Sequence, residues 1–341
     1  MVYFDSDYMA GAHPEVLKQL NETNLLDTTG YGTDKFCSEA RNLILKACGL
    51  KEGAVYFLEG GTQTNATVID RLLSRNDGVI ATDTSHINVH EAGAIEAWGH
   101  KILTLPNHNG KLDAEEVKKY ITEFYKDDTW LHMVRPAMVY ISFPTELGTI
   151  YSKKELEDLS SVCKQFDIPL YVDGARMAYG LAAEGNDLTL KEIASLCDVF
   201  YIGGTKCGTL FGEAVVTKRP ELLPRFESVM KLHGALLAKG RLLGVQFKAL
   251  FTDNLYERIG RHAVNLALEI KKLFLDKGYK FYIDSPTNQQ FFILPNDVID
   301  KLKEKVSFEL WGAQGEVSTP VRFVTSWNTN ADDIEVLKNS L

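Results

Sequence analysis

The segment Tyr201-Ile202-Gly203-Gly204-Thr205-Lys206-Cys207-Gly208 is an apolar strand that ends in a glycine turn and a lysine. An apolar strand also leads into Asp173 in the segment Tyr171-Val172-Asp173-Gly174-Ala175-Arg176. Helical patterns alternate with such strands through the middle of the chain. This β-α-β rhythm predicts a mostly parallel sheet covered by helices on both faces. The predicted strands are residues 54–58, 78–81, 101–105, 138–143, 170–172, 199–202 and 213–216, with helices, for example, at 64–74, 114–125 and 153–166.

The C-terminal third has a different pattern. Residues 220–248 read as helical without a strand, and 258–277 form an amphipathic helix. After them come short strand-like pieces separated by helices, the strands at 281–283, 290–294 and 321–325 and the helices near 298–304 and 332–340. We therefore predict an α/β fold with two domains. Residues 1–239 form a large domain with an N-terminal arm, and residues 240–341 form a smaller α+β domain.

Composition excludes several classes of protein. The chain has 341 residues, 45% hydrophobic and 24% charged, with a net charge of −9. A negative balance argues against nucleic-acid or anionic-membrane partners, which need clustered Lys and Arg. No apolar run approaches the roughly 20 residues of a membrane span, and the N-terminus does not read as a signal peptide. Five cysteines without CxxC spacing indicate a reduced cytoplasm, with no disulfide framework and no zinc site.

Lys206 and Asp173 are the residue types that pyridoxal phosphate requires. A lysine amine forms a Schiff base with the cofactor aldehyde, and a carboxylate keeps the pyridine nitrogen protonated so that the ring accepts electrons. Asp173 with Arg176 could instead be a strand-end salt bridge, and Lys206 a solvated turn residue. The apolar segments on both sides of Lys206 favour a crevice, where desolvation lowers an amine's pKa.

Two further segments fit the same cofactor. Glu59-Gly60-Gly61-Thr62-Gln63-Thr64-Asn65 follows a strand and opens a helix, so its glycines and the Thr62 hydroxyl can hold a phosphate, although an ordinary strand-to-helix turn looks the same. His86 and His90 with Glu91 could form a metal pair on a helix, but the sequence offers no third ligand. His86 lying flat against the cofactor ring is the functional alternative to a capping histidine.

Arg322 lies in the segment Pro320 to Trp327, inside the predicted strand 321–325. A guanidinium there is poorly placed to remain solvated, and bidentate recognition of a carboxylate is the interaction it makes best. An edge-strand arginine facing water is the alternative. The order of the signals along the chain is more informative than any one of them: phosphate turn, histidine, aspartate, lysine and a late arginine.

With these residues in view, the chain resembles the L-threonine aldolases of the β-eliminating lyase group, which belong to the fold-type I pyridoxal-phosphate enzymes. The likeness covers nearly the whole chain. It is most specific in Phe4-Asp5-Ser6-Asp7, Gly60–Asn65, Ser85-His86-Ile87 with Glu91-Ala92-Gly93, Asp173-Gly174-Ala175-Arg176, Thr205-Lys206 and Arg322 to Trp327.

The resemblance implies roles for residues around the cofactor. Lys206 would carry it, Asp173 would pair with the ring nitrogen and Arg176 with the ring hydroxyl, and His86 would stack on the ring. The phosphate would be held by the turn residues Gly60, Gly61, Thr62 and Thr205.

The resemblance also implies substrate contacts and a partner subunit. Ser6 and Arg322 would bind the substrate carboxylate. Tyr31 and Arg241 resemble residues that such enzymes lend to the neighbouring subunit's site, Arg241 at the cofactor and Tyr31 at the substrate. We therefore expect a homo-oligomer, either a dimer or a tetramer, with shared active sites.

One position departs from the family pattern. Many of these aldolases read Asn-Thr-His where this chain reads Pro144-Thr145-Glu146, and that histidine helps to hold the substrate's β-hydroxyl. Glu146 is therefore a candidate substrate contact, and the base is left open between His86, Glu146 and a water. The predicted activity is cleavage of Cα–Cβ in β-hydroxy-α-amino acids. The alternatives are β-elimination from another amino acid and a non-catalytic pyridoxal-binding protein.

Overall fold

A computed structural model describes all residues, 1–341. The strands, in chain order, are β1 (Val2–Tyr3), β2 (Ala54–Leu58), β3 (Asp77–Thr82), β4 (Lys101–Leu105), β5 (Arg135–Ser142), β6 (Leu170–Asp173), β7 (Val199–Gly203), β8 (Glu213–Thr217), β9 (Lys280–Ile283), β10 (Gln289–Pro295), β11 (Val306–Ser307), β12 (Glu309–Leu310) and β13 (Ser318–Val324). The helices are α1 (Pro14–Thr23), α2 (Lys35–Ala47), α3 (Gly61–Leu72), α4 (His86–Val89), α5 (Ala94–Ala97), α6 (Ala114–Lys126), α7 (Lys153–Gln165), α8 (Met177–Leu181), α9 (Leu190–Leu196), α10 (Phe226–Leu232), α11 (Arg241–Leu250), α12 (Leu255–Asp276), α13 (Asn296–Leu302) and α14 (Ala331–Ser340).

The central sheet has seven strands in the order β2-β8-β7-β6-β5-β3-β4. β8 runs antiparallel to both of its neighbours, and the pairs from β7 to β4 are parallel. This topology confirms the predicted α/β class with a mostly parallel sheet. Each strand predicted in this region is present, with ends that differ by at most three residues.

Both faces of the sheet are buried, as parallel strands require. Along β7, Phe200 and Ile202 belong to the larger apolar cluster, whereas Val199 and Tyr201 belong to a second cluster on the opposite face. This alternation follows from the two-residue period of a strand. The same division continues in β6, so the two clusters enclose the strands that carry the polar residues of the cleft.

The C-terminal part contains a second sheet, in the order β12-β13-β10-β9, packed on a third apolar cluster. No change to the third apolar cluster occurs at residue 240, where the sequence predicts the domain boundary. The large core includes Phe247 of α11 and Val264 of α12, and the third cluster takes over at Leu266 of the same helix. One long helix thus serves both cores, a division that composition does not mark.

The N-terminal arm packs on the third apolar cluster. β1 pairs in parallel with β11, and Phe4 is fully buried in the third cluster against Phe323. This pairing brings the segment that follows Phe4 next to the cleft between the two units.

The stretch 220–248 contains no strand, as predicted, but it is not one helix. α10 ends at Leu232, and α11 begins at Arg241. Between them, Gly240 packs against the backbone of Gly32, where an added Cβ would lie 2.5 Å from the Gly32 nitrogen. This close approach of Gly240 to Gly32 lies at the interruption between α10 and α11. None of the helices has the length and apolar character needed to traverse a bilayer.

Candidate active site

A cleft opens at the carboxyl ends of β5, β6 and β7, where open α/β sheets bind their ligands. Ser142 and Asp173 are the last residues of β5 and β6, and the turn after β7 brings Lys206 to the same edge. The helix α3 points its N-terminus into the cleft. The predicted site residues that line it together are Gly61, Thr62, His86, Glu146, Asp173, Arg176, Thr205 and Lys206.

Asp173 is buried and held by neutral donors. Its Oδ2 accepts hydrogen bonds from Asn65 Nδ2 at 2.9 Å and from the Tyr140 hydroxyl at 2.7 Å. Its Oδ1 accepts one from the backbone N–H of Ala175 at 2.9 Å. No lysine or arginine forms an ion pair with this carboxylate, so the alternative interpretation, a strand-end salt bridge with Arg176, does not hold. A buried carboxylate of this kind can bind a cationic ligand as an ion pair.

Three tyrosines from neighbouring strands support this arrangement. The rings of Tyr140, Tyr171 and Tyr201 lie side by side, with centroids 5.8 and 6.5 Å apart. The Tyr171 hydroxyl donates to Asn65 Oδ1 at 2.9 Å, and Asn65 in turn donates to Asp173. The polar ends of a buried aromatic row thus fix the carboxylate, because buried hydroxyls need partners.

Lys206 lies in the cleft with its ammonium 5.9 Å from the centroid of the Tyr8 ring. Burial lowers the pKa of Lys206, and the nearby Arg176 guanidinium lowers it further, against the opposing charges of Asp7 and Asp173. A lowered pKa increases the fraction of free amine, which is the nucleophile in imine formation. The solvated-turn interpretation of Lys206 is therefore not what the structure shows.

The part of the cleft at the start of α3 has the features of an anion site. Gly60 is the N-cap of α3, and no side chain caps this helix, so its first N–H groups remain available for a ligand. Thr62 and Thr205 line the same end. Glu213, which was not predicted, is buried there, and its Oε2 accepts from the Gly204 N–H at 3.1 Å. Burial raises the pKa of Glu213 to about 8, which favours the neutral form of the group and so lessens its repulsion of an anion.

His86 begins α4 and its ring is held by Glu91. The Nδ1 atom lies 2.7 Å from Glu91 Oε1, which also accepts from Asn65 Nδ2 at 2.8 Å. The His86 backbone N–H donates to Glu146 Oε1 at 3.0 Å. The His90 ring centroid is 5.6 Å from that of His86, but the protein contains no group of three or more His, Cys, Asp and Glu side chains placed to hold a metal ion.

Arg176 lines the cleft but already has a carboxylate partner. Its Nε donates to Asp7 Oδ2 at 2.7 Å, and its Nη2 donates to Asp7 Oδ1 at 3.0 Å. Burial alone raises the pKa of Asp7, but the charges of Arg176 and Lys206 outweigh it and hold the pKa below its usual value. This fork ties the N-terminal segment to β6 and leaves Nη1 of Arg176 for a ligand.

Arg322 lies outside the residues that line this cleft, although it is close enough to Arg176 for charge repulsion. Burial lowers the pKa of Arg322, and the Arg176 guanidinium lowers it further. Its Nη1 donates to Gln289 Oε1 at 2.8 Å, and its Nη2 forms an ion pair with Glu309. Ser6 lies on the adjacent N-terminal segment, whose Asp5 carbonyl is 3.4 Å from Arg322 Nη2.

Tyr31 and Arg241 do not reach the cleft of their own chain. Arg241 donates to the carbonyls of Leu26 and Thr23. Tyr31 is half exposed, and its N–H donates to the carbonyl of Ala238 at 3.0 Å, close to the start of α11. The structure therefore places these two residues near one another, on a surface separate from Lys206.

Several residues around the site were given no cofactor or substrate role from the sequence. Asp7 and Glu91 stood in the segments that carry the family resemblance, and Glu91 was considered only beside a histidine metal pair, but their partners, Arg176 and His86, could not be deduced from spacing. Asn65 ended the quoted phosphate turn without a role of its own, and Tyr140 sits in an ordinary strand pattern. Glu213 could have been noticed in the sequence as a charged residue at the start of an otherwise apolar strand.

Comparison with known proteins gives consistent results. The sequence profile described as β-eliminating lyase matches residues 4–281. A low specificity L-threonine aldolase from Pseudomonas sp. is 29% identical over 96% of this chain and 93% of that protein. A structure described as threonine aldolase from Leishmania major has a TM-score of 0.95 at 40% identity, covering 99% of both chains.

A more distant structural neighbour bears on the fold alone. Aspartate aminotransferase from Thermus thermophilus, solved with maleate, has a TM-score of 0.72 at 15% identity, covering the whole of this chain and 90% of the other. Together with the Leishmania structure, it confirms the fold-type I prediction.

Proposed function

The chain belongs to the β-eliminating lyase family, and we propose that it is an aldolase that splits L-threonine and L-allo-threonine into glycine and acetaldehyde. It is a pyridoxal-phosphate-dependent carbon–carbon lyase. The observation that carries this proposal is the meeting of Lys206 and Asp173 in one cleft, beside an uncapped helix N-terminus, in a chain whose relatives are named threonine aldolases.

The donor set of the cleft fits pyridoxal phosphate. Asp173 is a buried carboxylate without a cationic side-chain partner, as a pyridinium nitrogen requires. Lys206 is a buried amine with a lowered pKa. The N-terminus of α3 with Thr62 and Thr205 suits the phosphate, and His86 would cover the ring. When bound, the cofactor supplies an electron sink for the bond that breaks at Cα.

The chain's own residues supply attachment, orientation and proton transfer. Lys206 would hold the cofactor through its aldehyde, since a free amine is the group that forms an imine. Asn65 and Tyr140 keep Asp173 in place, so its charge is preorganised rather than reoriented during the reaction. Arg322 and Ser6 hold the substrate carboxylate. This contact orients the substrate so that the Cα–Cβ bond stands perpendicular to the cofactor ring, the orientation needed for cleavage.

A screen of amino acids with the purified, cofactor-loaded protein tests this function. We expect aldehyde release from β-hydroxy-α-amino acids and none from amino acids without the hydroxyl. Ammonia with a keto acid would indicate β-elimination from another amino acid. A visible band that no amino acid alters would indicate a non-catalytic binding protein.

Replacing Arg322 tests recognition of the carboxylate. The guanidinium can hold a carboxylate through two hydrogen bonds, whereas lysine keeps the charge and loses the fork. We expect Arg322→Lys to raise KM by about 10- to 100-fold, equivalent to roughly 1.4–2.8 kcal/mol, and to lower kcat as well.

The matched control is Arg258→Lys, since Arg258 is exposed and pairs with Glu15 at the surface. The role of Arg322 would be refuted if the wild-type protein processed amino acids and their decarboxylated amines equally well.

We also propose that the active unit is at least a homodimer, a dimer or a tetramer, in which Arg241 and Tyr31 complete the partner's site. Their distance from the cleft of their own chain supports this, as do exposed apolar side chains on nearby segments, namely Leu25, Leu26, Tyr31 and Leu232. Apolar surface of this kind is typical of an interface, and a two-fold pair would complete both sites at once.

A mixing experiment tests the shared site. Inactive Lys206→Ala and inactive Arg241→Ala proteins are combined under conditions that permit subunit exchange. A mixed dimer then carries both defects in one site and none in the other, so we expect recovery to roughly one quarter of wild-type activity after random exchange.

The control mixture is Lys206→Ala with Asp173→Asn, which leaves one defect in every site and should stay inactive. Absence of recovery in the Arg241 mixture, with exchange demonstrated, would place Arg241 in its own chain's function.

We propose a cytoplasmic location. The support is that all five cysteines are free and buried, as in proteins of reducing compartments.

A further inference from the structure

Glu146 lies in the cleft, four residues beyond the end of β5, with one of its two oxygens anchored. Its Oε1 accepts the Ser142 hydroxyl at 2.5 Å and the His86 backbone N–H at 3.0 Å. Its Oε2 has no hydrogen-bond partner in the protein and is not among the polar atoms shut off from solvent. One oxygen therefore fixes the carboxyl group, and the other remains open to a ligand in the cleft.

The surroundings of Glu146 make it a stronger proton acceptor than an ordinary glutamate. Burial raises its pKa, against the hydrogen bonds from Ser142 and His86, and the nearby charge of Asp173 raises it further. The other titratable groups that face it are Tyr140 of β5, the His86 ring of α4 and Tyr151, which follows the same turn. No lysine or arginine forms an ion pair with it.

The other carboxylates of the cleft and the His86 ring already have partners in the protein. Both oxygens of Asp173 hold hydrogen bonds. Glu91 Oε1 binds His86 and Asn65, and its Oε2 is shut off from solvent. Glu213 lies at the phosphate end, bound to the Gly204 N–H. His86 is tied to Glu91 through Nδ1. Among the carboxylates, Glu146 thus presents the free oxygen on the side of the cleft that His86 borders.

We propose that Glu146 recognises the substrate's β-hydroxyl and accepts its proton as the Cα–Cβ bond breaks. This inference rests on the proposed aldolase function and assigns its base. The hydroxyl O–H bond breaks and its proton passes to Oε2. The oxygen lone pair closes the C=O bond of the departing aldehyde, and the electron pair of Cα–Cβ stays with the amino-acid fragment. That fragment regains one proton at Cα, and Glu146 releases its proton to water. Glycine and acetaldehyde together then contain all the atoms of threonine.

The Glu146→Gln variant tests this assignment, because glutamine keeps the shape and the hydrogen-bond acceptor but cannot take up a proton. We expect threonine cleavage to fall by about 10²- to 10⁴-fold, the range for loss of a general base. The matched control is Glu123→Gln, an exposed glutamate on α6 far from the cleft, which should cleave threonine at the wild-type rate.

A second reaction of the same protein separates the base from the rest of the site. Exchange of the glycine α-proton with deuterated water, followed by NMR, needs the cofactor, Lys206 and Asp173 but no β-hydroxyl. We expect Glu146→Gln to retain this exchange within about threefold of wild type while cleavage collapses. Equal loss of both reactions would assign a structural role to Glu146 and overturn the proposal, as would undiminished cleavage. If the aldolase function itself is wrong, the wild-type protein exchanges glycine and does not cleave threonine.

The Glu146→His variant shows whether a loss of activity in Glu146→Gln comes from a folding defect or from the loss of the proton acceptor. Imidazole also accepts a proton, so we expect cleavage at least about tenfold above that of Glu146→Gln. In wild type, kcat/KM for cleavage falls as pH drops through the pKa of Glu146. This acid limb should be absent in Glu146→Gln and move to about 6.5 in Glu146→His. A limb that stays in place in both variants belongs to another group, such as the His86 ring, and would overturn the proposal.

Discussion

Lys206→Ala is expected to lose turnover by on the order of 10⁴-fold or more, the scale seen when a covalent catalytic group is removed. We propose this amine as the attachment point of the cofactor aldehyde, and no nearby group can replace it, because no other lysine lines the cleft. The α3 N-terminus, Asp173 and His86 remain, so the variant should still bind some cofactor without covalent attachment.

Borohydride reduction followed by peptide mapping measures the attachment. In the wild-type protein, the cofactor should be fixed to the peptide that contains Lys206 and to no other. In Lys206→Ala, no peptide should be labelled, and the visible band should shift to that of the free aldehyde. Labelling of a different lysine in the wild-type protein would refute the assignment.

Asp173→Asn should reduce turnover by about 10²- to 10³-fold, the cost of removing one preorganised charge, roughly 3–4 kcal/mol. Asparagine preserves the size of the side chain but cannot stabilise a cationic ring nitrogen. It also has one acceptor oxygen in place of two. It therefore cannot accept all three hydrogen bonds that Asp173 accepts, those from Asn65, Tyr140 and the Ala175 N–H.

The measurement is kcat for threonine cleavage beside cofactor affinity in the same protein. Asp158→Asn is the matched control, since Asp158 pairs with Lys154 at the surface of α7. Turnover near the wild-type level in Asp173→Asn would contradict the role of Asp173 as the partner of the ring nitrogen.

The strands of the central sheet were accessible from the sequence, because buried parallel strands are continuous apolar runs bounded by turns. Lys206 and Asp173 were accessible for the same reason, since each interrupts or ends such a run at a glycine turn. At these two positions, the apolar strand pattern and the reactive residue type stand in the same short segment.

Pairings across long stretches of chain were not accessible. Asp7 and Arg176 are 169 residues apart, and nothing in either segment identifies the other as its partner. The change of apolar cluster within α12 was not accessible for a related reason. A helix such as α12 has one apolar stripe along its length, and only tertiary packing decides that the stripe serves two different cores.

Glu146 illustrates a third kind of limit. The sequence marks it as a departure from the family pattern, but its significance depends on what surrounds it. Only the fold shows that Ser142 and His86 anchor one oxygen while the other faces the cleft.

The central claim is that this chain uses pyridoxal phosphate on Lys206 to break Cα–Cβ of a β-hydroxy-α-amino acid. Product analysis with L-threonine tests it most directly, with the cofactor-loaded wild type and Lys206→Ala measured in parallel. We predict that the wild type forms glycine and acetaldehyde in equal amounts and that Lys206→Ala forms neither. Formation of ammonia and 2-oxobutyrate in place of glycine and acetaldehyde, or equal product formation by the two proteins, would contradict it.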